Sequence, residues 1–125
     1  MSARTPEETH ALLAAAFNAG DPDAFVQVYE EGAALIVPPD GQRVNGRDEI
    51  RRALEPTFAL RPRAEIRVAQ VLQNDGLALT RAEWTLVGTG AADEVVKLEG
   101  RGTIVSRRQE DGSWLIVLDD PIGPE

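Results

Sequence analysis

The spacing of apolar residues divides the chain into a helical first half and a strand-forming second half. Apolar residues recur at helical intervals in three groups: Leu13, Ala16 and Phe17; Phe25, Val28 and Tyr29; and Ile50, Leu54 and Phe58. Four strand candidates follow, at about 63–73, 77–88, 95–107 and 113–119. Because helices precede strands instead of alternating with them, the pattern predicts an α+β fold.

Capping residues set the limits of the three predicted helices. Thr5-Pro6-Glu7-Glu8 is a typical helix start, and Gly20 is a typical helix end. A second helix is predicted to begin at Asp21 and to be stopped by Gly32. Pro56 is expected to distort or end the third helix, because proline lacks a backbone N–H.

Turn residues predict how the strands connect. A short strand from Ala33 to Val37 is followed by a turn, Pro38-Pro39-Asp40-Gly41, and a return at Gln42 to Val44. Hairpin turns at 74–76 and 110–113 predict an antiparallel sheet in sequential order. Gly100 and Gly102 lie inside a strand, where glycine marks a bulge, a bend or a close approach of backbone. Such a bend would allow the sheet to curl.

Two of the predicted strands are apolar on both faces. Trp84 and Leu86 alternate with Thr85 and Val87, and the last strand has the same character. Three helices cover only one side of such a sheet, so the outer face needs another cover. We therefore expect a homodimer formed through the outer sheet face.

Composition excludes several classes of protein. The 125 residues carry a formal net charge of −8, which argues against a nucleic-acid partner. There is no Cys and one His, so disulfides, thiolate catalysis and multi-histidine metal sites are excluded, and we expect no metal and no cofactor. No apolar stretch approaches the ~18 residues of a membrane span, and we expect a cytoplasmic protein without a membrane partner.

The order of these motifs resembles the SnoaL-like branch of the nuclear-transport-factor-2-like (NTF2-like) superfamily. The resemblance rests on five segments: Gly20-Asp21-Pro22-Asp23-Ala24-Phe25, Tyr29, Val37-Pro38-Pro39-Asp40-Gly41, Gly46-Arg47-Asp48-Glu49-Ile50 and the ending Asp111 to Asp120. It implies a single domain over 1–125, with three N-terminal helices packed in the concave face of a curled, mainly antiparallel sheet. It also implies an inner pocket and frequent dimers. Relatives include ketosteroid isomerases, polyketide cyclases and non-catalytic assembly domains, so fold does not determine function.

Asp120 is the leading candidate for a catalytic group. If Trp114, Ile116 and Leu118 face the pocket, the two-residue period of a strand places Asp120 on the same face and Asp119 on the other. A carboxyl beside an apolar pocket has a raised pKa and exchanges protons near neutral pH. The alternative is a turn-capping or solvated Asp before Pro121.

The ketosteroid isomerases that the chain resembles carry a carboxylate base just before the proline that ends the first short strand. The matching residue here is Val37, which cannot take a proton. A steroid-isomerase mechanism copied from that branch is therefore not expected.

Charged residues on neighbouring strands have two interpretations. Arg81, Glu83, Glu99 and Arg101 could form an ion pair aimed into the pocket, as the epoxide-hydrolase branch would imply. The same spacing produces a ladder of cross-strand salt bridges on the outer face. We favour the ladder, because alternating charges on a sheet are usually structural.

The remaining pocket candidates are mostly aromatic. The predicted ligand-binding residues are Phe17, Tyr29, Phe58, Trp84, Trp114 and Leu118. Aromatic side chains at such positions are also ordinary core residues. His10 lies apart from the main apolar stripe of the first helix and is expected at the surface.

Two functions remain open, and so does the question of whether the chain is an enzyme. The first is a pocket that binds a small apolar molecule, with cofactor-free isomerase, cyclase, dehydratase or hydrolase chemistry on a carboxylate base. The second is a non-catalytic dimeric binding or assembly module. A cavity above ~300 Å³ would favour the first, and a solid interior the second.

Overall fold

The computed structural model describes residues 2–38 and 40–122, so Pro39 of the predicted turn lies outside the described residues. Two helices come first, two strands and a third helix follow, and the last four strands complete the described chain. The elements are α1 (Pro6–Ala19), α2 (Pro22–Val26), β1 (Tyr29–Val37), β2 (Gln42–Asn45), α3 (Arg47–Ala59), β3 (Arg63–Asn74), β4 (Leu77–Thr89), β5 (Val95–Arg108) and β6 (Trp114–Asp120).

The six strands form one sheet in the order β2-β1-β6-β5-β4-β3. Strands β3 to β6 are an antiparallel meander, as their hairpin turns predicted. Strand β1 then lies parallel to β6, with β2 antiparallel at the edge. The α+β prediction, with helices on the concave face of a curled, mainly antiparallel sheet, is confirmed.

The helix starts are capped as the sequence predicted. Thr5 Oγ1 accepts a hydrogen bond from the backbone N–H of Glu8 at 3.3 Å, and Asp21 Oδ1 accepts one from Ala24 at 3.0 Å. Gly20 ends α1 with a φ of 65°, a conformation that glycine adopts without strain.

The prediction that the second helix extends to Gly32 is wrong. Helix α2 ends at Val26, and Tyr29 begins β1. The backbone N–H of Ile116 donates to the carbonyl of Val28 at 2.8 Å, and Tyr29 pairs with Ile116. Tertiary pairing with β6 therefore overrides the local helical pattern.

Helix α3 does not end at Pro56, one of the two effects expected of that residue, and continues to Ala59. The last turn carries Phe58, whose ring stacks on that of Phe17 with centroids 5.0 Å apart. The stacking of these two rings stabilises the last turn of α3, which Pro56 alone would destabilise.

The main core lies between the helices and the inner face of the sheet. Its buried members include Leu13 of α1, Phe25 of α2, Ile50 and Leu54 of α3, and Ile116 of β6. Within the described part of the chain, no helix is long and apolar enough to cross a membrane.

Gly100 and Gly102 allow a close approach of backbone rather than a bulge, because β4 and β5 pair continuously past them. A Cβ on Gly100 would lie 2.9 Å from Cζ2 of Trp84, and one on Gly102 would lie 2.9 Å from Cα of Pro121. The Trp84 indole Nε1–H donates to the carbonyl of Pro121 at 2.7 Å. The two glycines thus let Trp84 and the segment after β6 pack on the inner face.

A bulge in β6 changes which of its side chains face inward. Ile116 pairs with Ser106 and Leu118 with Val105, so Val117 is left without a partner in β5. The extra residue reverses the alternation at this point. Ile116 is fully buried, whereas Leu118 is 51% exposed.

We predict that Gly102→Ala destabilises the fold by about 1–3 kcal/mol, because the added methyl meets Pro121 backbone that has little room to move. Gly32→Ala is the matched control, since nothing lies within 4 Å of its Cβ position. Urea unfolding should show the control within about 0.5 kcal/mol of the wild type. Equal stability of the two variants would contradict the close packing of this segment.

Candidate functional site

A cavity of about 110 Å³ lies between the helices and the inner face of the sheet. Its wall is largely aliphatic and aromatic, with contributions from all three helices and from β1, β3, β4, β5 and β6. The lining residues are His10, Leu13, Phe17, Phe25, Tyr29, Leu35, Pro38, Leu54, Thr57, Ile66, Ala82, Trp84, Leu86, Leu98, Gly102, Ile104, Asp119 and Pro121. None of them is a Lys or an Arg, so no cationic side chain of the described residues lines this cavity.

The polar group of greatest chemical interest in the wall is a hydrogen-bonded pair, Tyr29 and Asp119. The Tyr29 hydroxyl donates to Asp119 Oδ2 at 2.5 Å. Tyr29 has no exposed surface, and Asp119 is 8% exposed. The phenol thus hydrogen-bonds to one of the two carboxyl oxygens.

Burial controls the charge of this pair. Desolvation raises the pKa of Asp119 from 3.8 to about 7; the Tyr29 hydrogen bond acts in the opposite direction, and the nearby charge of Asp120 adds to the rise. Burial, followed by the charge of Asp119, raises the pKa of Tyr29 well above its ordinary value. The carboxyl therefore exists in both protonation states near neutral pH, while the phenol stays protonated.

The expectation that Asp120 shares the pocket face is wrong, and Asp119 takes its place. The bulge at Val117 turns Leu118 outward and Asp119 inward, which leaves Asp120 on the outer side with Leu118. Asp120 is not among the residues that line the cavity. The prediction from the sequence assumed that side chains alternate between the two faces of the sheet along the whole of β6.

The expectation that His10 lies at the surface is also wrong. His10 is 4% exposed and forms part of the cavity wall with Leu13 and Phe17 of the same helix. Its Nε2 lies 2.6 Å from Thr80 Oγ1. The signal was present in the sequence, because positions 10, 13 and 17 fall on one helical face. Burial lowers the pKa of His10 to about 4, although the charge of Glu7 opposes this, so the ring is neutral at pH 7.

Half of the predicted ligand-binding residues reach the cavity. Phe17, Tyr29 and Trp84 line it. Phe58 packs behind Phe17 and does not line it. Trp114 is buried in a separate cluster with Ala3, Ala78 and Leu12, and Leu118 faces outward for the reason given above.

The charged residues of the central strands lie on the outer face, as the ladder interpretation expected. Glu83 pairs across the strands with Arg101 and accepts a hydrogen bond from Arg67 at 2.6 Å. The Arg67 guanidinium, with a smaller effect from Arg101, lowers the pKa of Glu83. Arg81 donates to Gln70 at 2.6 Å, and Glu99 lies 3.5 Å from Lys97.

No group of three or more histidine, aspartate or glutamate side chains is placed to hold a metal ion among residues 2–38 and 40–122.

Comparison with known families gives one match that spans most of the chain. The model of a family described as the SnoaL-like domain matches residues 10–117. This span contains His10 and Tyr29, and it ends two residues before Asp119. The chain has no match among curated proteins.

Solved structures share the fold at low sequence identity. A conserved protein from Planctomyces limnophilus has a TM-score of 0.82 and 17% identity, with 93% of this chain and 91% of that chain covered. A ketosteroid isomerase-like protein from Erwinia carotovora atroseptica has a TM-score of 0.78 and 21% identity, with 94% of each chain covered. A putative calcium/calmodulin-dependent protein kinase type II association domain from Thiobacillus denitrificans has a TM-score of 0.77 and 24% identity, covering 98% and 99%.

We predict that Asp119→Asn removes a pH dependence of stability that the wild type shows. A carboxyl whose pKa is raised from 3.8 to about 7 by folding stabilises the folded state fully below pH 4, and this contribution is lost as the pH rises through about 7. The difference in unfolding free energy between wild type and Asp119→Asn should fall by roughly 2–4 kcal/mol from pH 4 to pH 8.

Asp120→Asn is the matched control for this experiment, because it removes a neighbouring carboxyl outside the cavity. Urea unfolding at a series of pH values should show most of the wild-type pH dependence in this control, with a smaller fall because the charge of Asp120 adds to the rise in the Asp119 pKa. Parallel curves for wild type and Asp119→Asn would show that the Asp119 carboxyl is solvated in the folded protein.

Proposed function

Because this chain belongs to the SnoaL-like family of the NTF2-like superfamily, we propose that it binds a small apolar molecule in its inner cavity and transfers a proton on it without a cofactor. Members of this superfamily differ in activity, so the proposal depends on the site and not on the fold. The main observation in support of this proposal is that Tyr29 and Asp119 form a buried hydrogen-bonded pair in the wall of an otherwise apolar cavity.

The size of the cavity limits the ligand. Its volume of about 110 Å³ is well below the ~300 Å³ expected for a drug-sized ligand, yet the interior is not solid. A dry protein cavity of about 150 Å³ binds benzene. The ligand proposed here is therefore close to a single ring in size.

Asp119 supplies the chemistry in this proposal. As a carboxylate, it removes a proton from a carbon next to a carbonyl, and the C–H electron pair becomes the double bond of an enolate. As a carboxylic acid, it returns a proton to the same or a neighbouring carbon, which completes an isomerisation or an exchange. A pKa near 7 makes both forms available at neutral pH.

Tyr29 acts as a positioning residue in the same proposal. Its hydroxyl is used by Asp119 Oδ2, so it fixes the orientation of the carboxyl instead of contacting the ligand. Its hydrogen bond also lowers the pKa of Asp119 against the larger effect of burial.

The second candidate function is a dimeric module without catalysis. The small volume of the cavity favours it, and one structural relative is named as a putative kinase association domain. The two candidates differ in whether Asp119 exchanges protons with a bound molecule.

We predict that the wild type accelerates exchange of the α-protons of cyclohexanone in D₂O, measured by proton NMR. The protein-dependent rate should rise with pH through about 7, because the carboxylate is the base. Asp119→Asn should lower that rate by about 10²-fold or more, and Asp120→Asn should retain most of it. Tyr29→Phe should move the midpoint of the pH profile upward, since it removes a hydrogen bond that lowers the pKa of Asp119.

Two results would contradict the catalytic proposal. Exchange that is unchanged in Asp119→Asn would mean that another group is the base. Binding of cyclohexanone without any accelerated exchange in the wild type would favour the non-catalytic module.

We also propose that two copies of the chain pair through the outer sheet face. One cross-strand row on this face is apolar across four strands: Leu72, Leu79, Val105 and Leu118. Leu72 is 65% exposed and Leu118 is 51% exposed. Further along β3, β4 and β5 lies a groove of about 520 Å³ bordered by charges of both signs, including Arg67, Glu83 and Arg101. A face that carries both signs can pair with a second copy related by a twofold axis.

We predict that light scattering at micromolar concentration gives twice the chain mass of 13.5 kDa. Leu118→Arg should shift the mass to that of one chain, because it would bury a charge at the β6 end of the apolar row. Ala11→Arg, on the exposed surface of α1, is the control and should remain dimeric. A wild-type mass of 13.5 kDa would overturn the pairing.

A further inference from the structure

His10 lines the cavity, and one of its two ring nitrogens has no hydrogen-bond partner among the described residues. Thr80 Oγ1 donates to the carbonyl of Ile104 at 3.4 Å, and a carbonyl oxygen only accepts. A Thr80 hydroxyl that donates to Ile104 must accept in the 2.6 Å contact with His10, and Nε2–H is then the donor there. In this tautomer Nδ1 carries a lone pair, and no side chain or backbone group of the described residues bonds to it.

The ring is neutral at neutral pH, a state in which one nitrogen carries a proton and the other a lone pair. Burial lowers the pKa of His10 to about 4, so Nδ1 remains an acceptor at neutral pH. Among the described residues, the fully buried side-chain polar atom without a partner is Ser106 Oγ and not His10 Nδ1, so Nδ1 keeps some accessible surface although the residue as a whole is 4% exposed.

His10 lies across the cavity from the Tyr29–Asp119 pair. Thr80 pairs with Ile104, and Ile104 pairs with Asp119, so the three residues form one row across β4, β5 and β6. Two strand spacings separate Thr80 from Asp119, or roughly 10 Å between their Cα atoms. The cavity thus has a polar group at each side and an apolar wall, Ile104 among others, between them.

We propose that His10 is a second ligand contact, and that the ligand is an uncharged, ring-sized molecule with an oxygen substituent at each end, of which the one at His10 is a hydroxyl that donates to Nδ1. This inference rests on the proposed function, because it places the opposite substituent at Asp119. The absence of Lys and Arg from the cavity wall leaves nothing to pair with an anionic ligand. The volume of about 110 Å³ fits one ring.

The test compares three probes: 4-hydroxybenzyl alcohol, which has a hydroxyl at each end, and benzyl alcohol and 4-methylphenol, which each lack one. Calorimetric titration of the wild type should show the first probe binding about tenfold more tightly than either of the others. His10→Phe keeps a ring of similar size and removes both nitrogens. This variant should bind all three probes with affinities within about twofold of one another.

The possible results distinguish the proposed role of His10 from the proposal that the cavity binds a ligand. If the three probes bind the wild type equally, or if His10→Phe keeps the tenfold preference, the role of His10 is overturned and the cavity remains a binding site. If none of the probes binds the wild type, the proposed ligand class and the ligand contact at His10 both fail.

A measurement on the wild type keeps the inference testable if His10→Phe does not fold. His10 is the one histidine of the chain, so its imidazole nitrogen signals need no assignment. Nitrogen-15 NMR should show an unprotonated Nδ1 in the free protein, and its signal should move upfield when 4-hydroxybenzyl alcohol binds. A protonated Nδ1, or a signal that does not move on binding, would overturn the assignment.

Discussion

Val117 has no partner in the neighbouring strand, and this one extra residue determines the chemistry of the cavity. Without it, Asp119 would point to the outer face, and the Tyr29 hydroxyl would lose its acceptor. With it, a carboxyl is buried against a phenol, and desolvation outweighs the hydrogen bond in setting its pKa. A bulge beside a functional site is a common means of redirecting a side chain.

The walls of the cavity depend on two glycines in β5, which leave room for a tryptophan and a proline to pack on the inner face of the sheet. Gly100 and Gly102 admit Trp84 and Pro121 to the inner face, where side chains at those positions would collide with them. The aromatic rings of Phe17, Phe25 and Tyr29 pack against one another on the helical side, with centroids 4.8–5.6 Å apart. These contacts give the polar groups of the wall fixed positions, which proton transfer and ligand recognition both need.

Most of the fold could be predicted from the sequence, because it follows from patterns that are local. Thr5 and Asp21 mark helix starts, and the four long strands follow from their alternation and hairpin turns. The end of the second helix at Val26 could not be predicted, since Tyr29 adopts a strand conformation only through pairing with Ile116, which lies far along the chain.

The candidate site was harder to predict from the sequence, because it also depends on pairing between distant parts of the chain. A bulge depends on the register between strands, so the sequence of β6 alone could not distinguish Asp119 from Asp120. The aromatic candidates Phe17 and Trp84 followed from ordinary periodicity, whereas the burial of Trp114 in a separate cluster depends on contacts with Ala3 and Ala78. His10 is a different case: it was expected at the surface because it lies apart from the stripe of Leu13, Ala16 and Phe17, although positions 10, 13 and 17 share one helical face.

The most direct test of these conclusions is the titration of the Asp119 side chain, followed by carbon-13 NMR of its carboxyl carbon in the intact protein. We predict a midpoint near pH 7, well above the ordinary 3.8, because the group is buried beside Tyr29. A midpoint near 4 would mean that the carboxyl is in water, and the inward orientation of Asp119 would then be wrong.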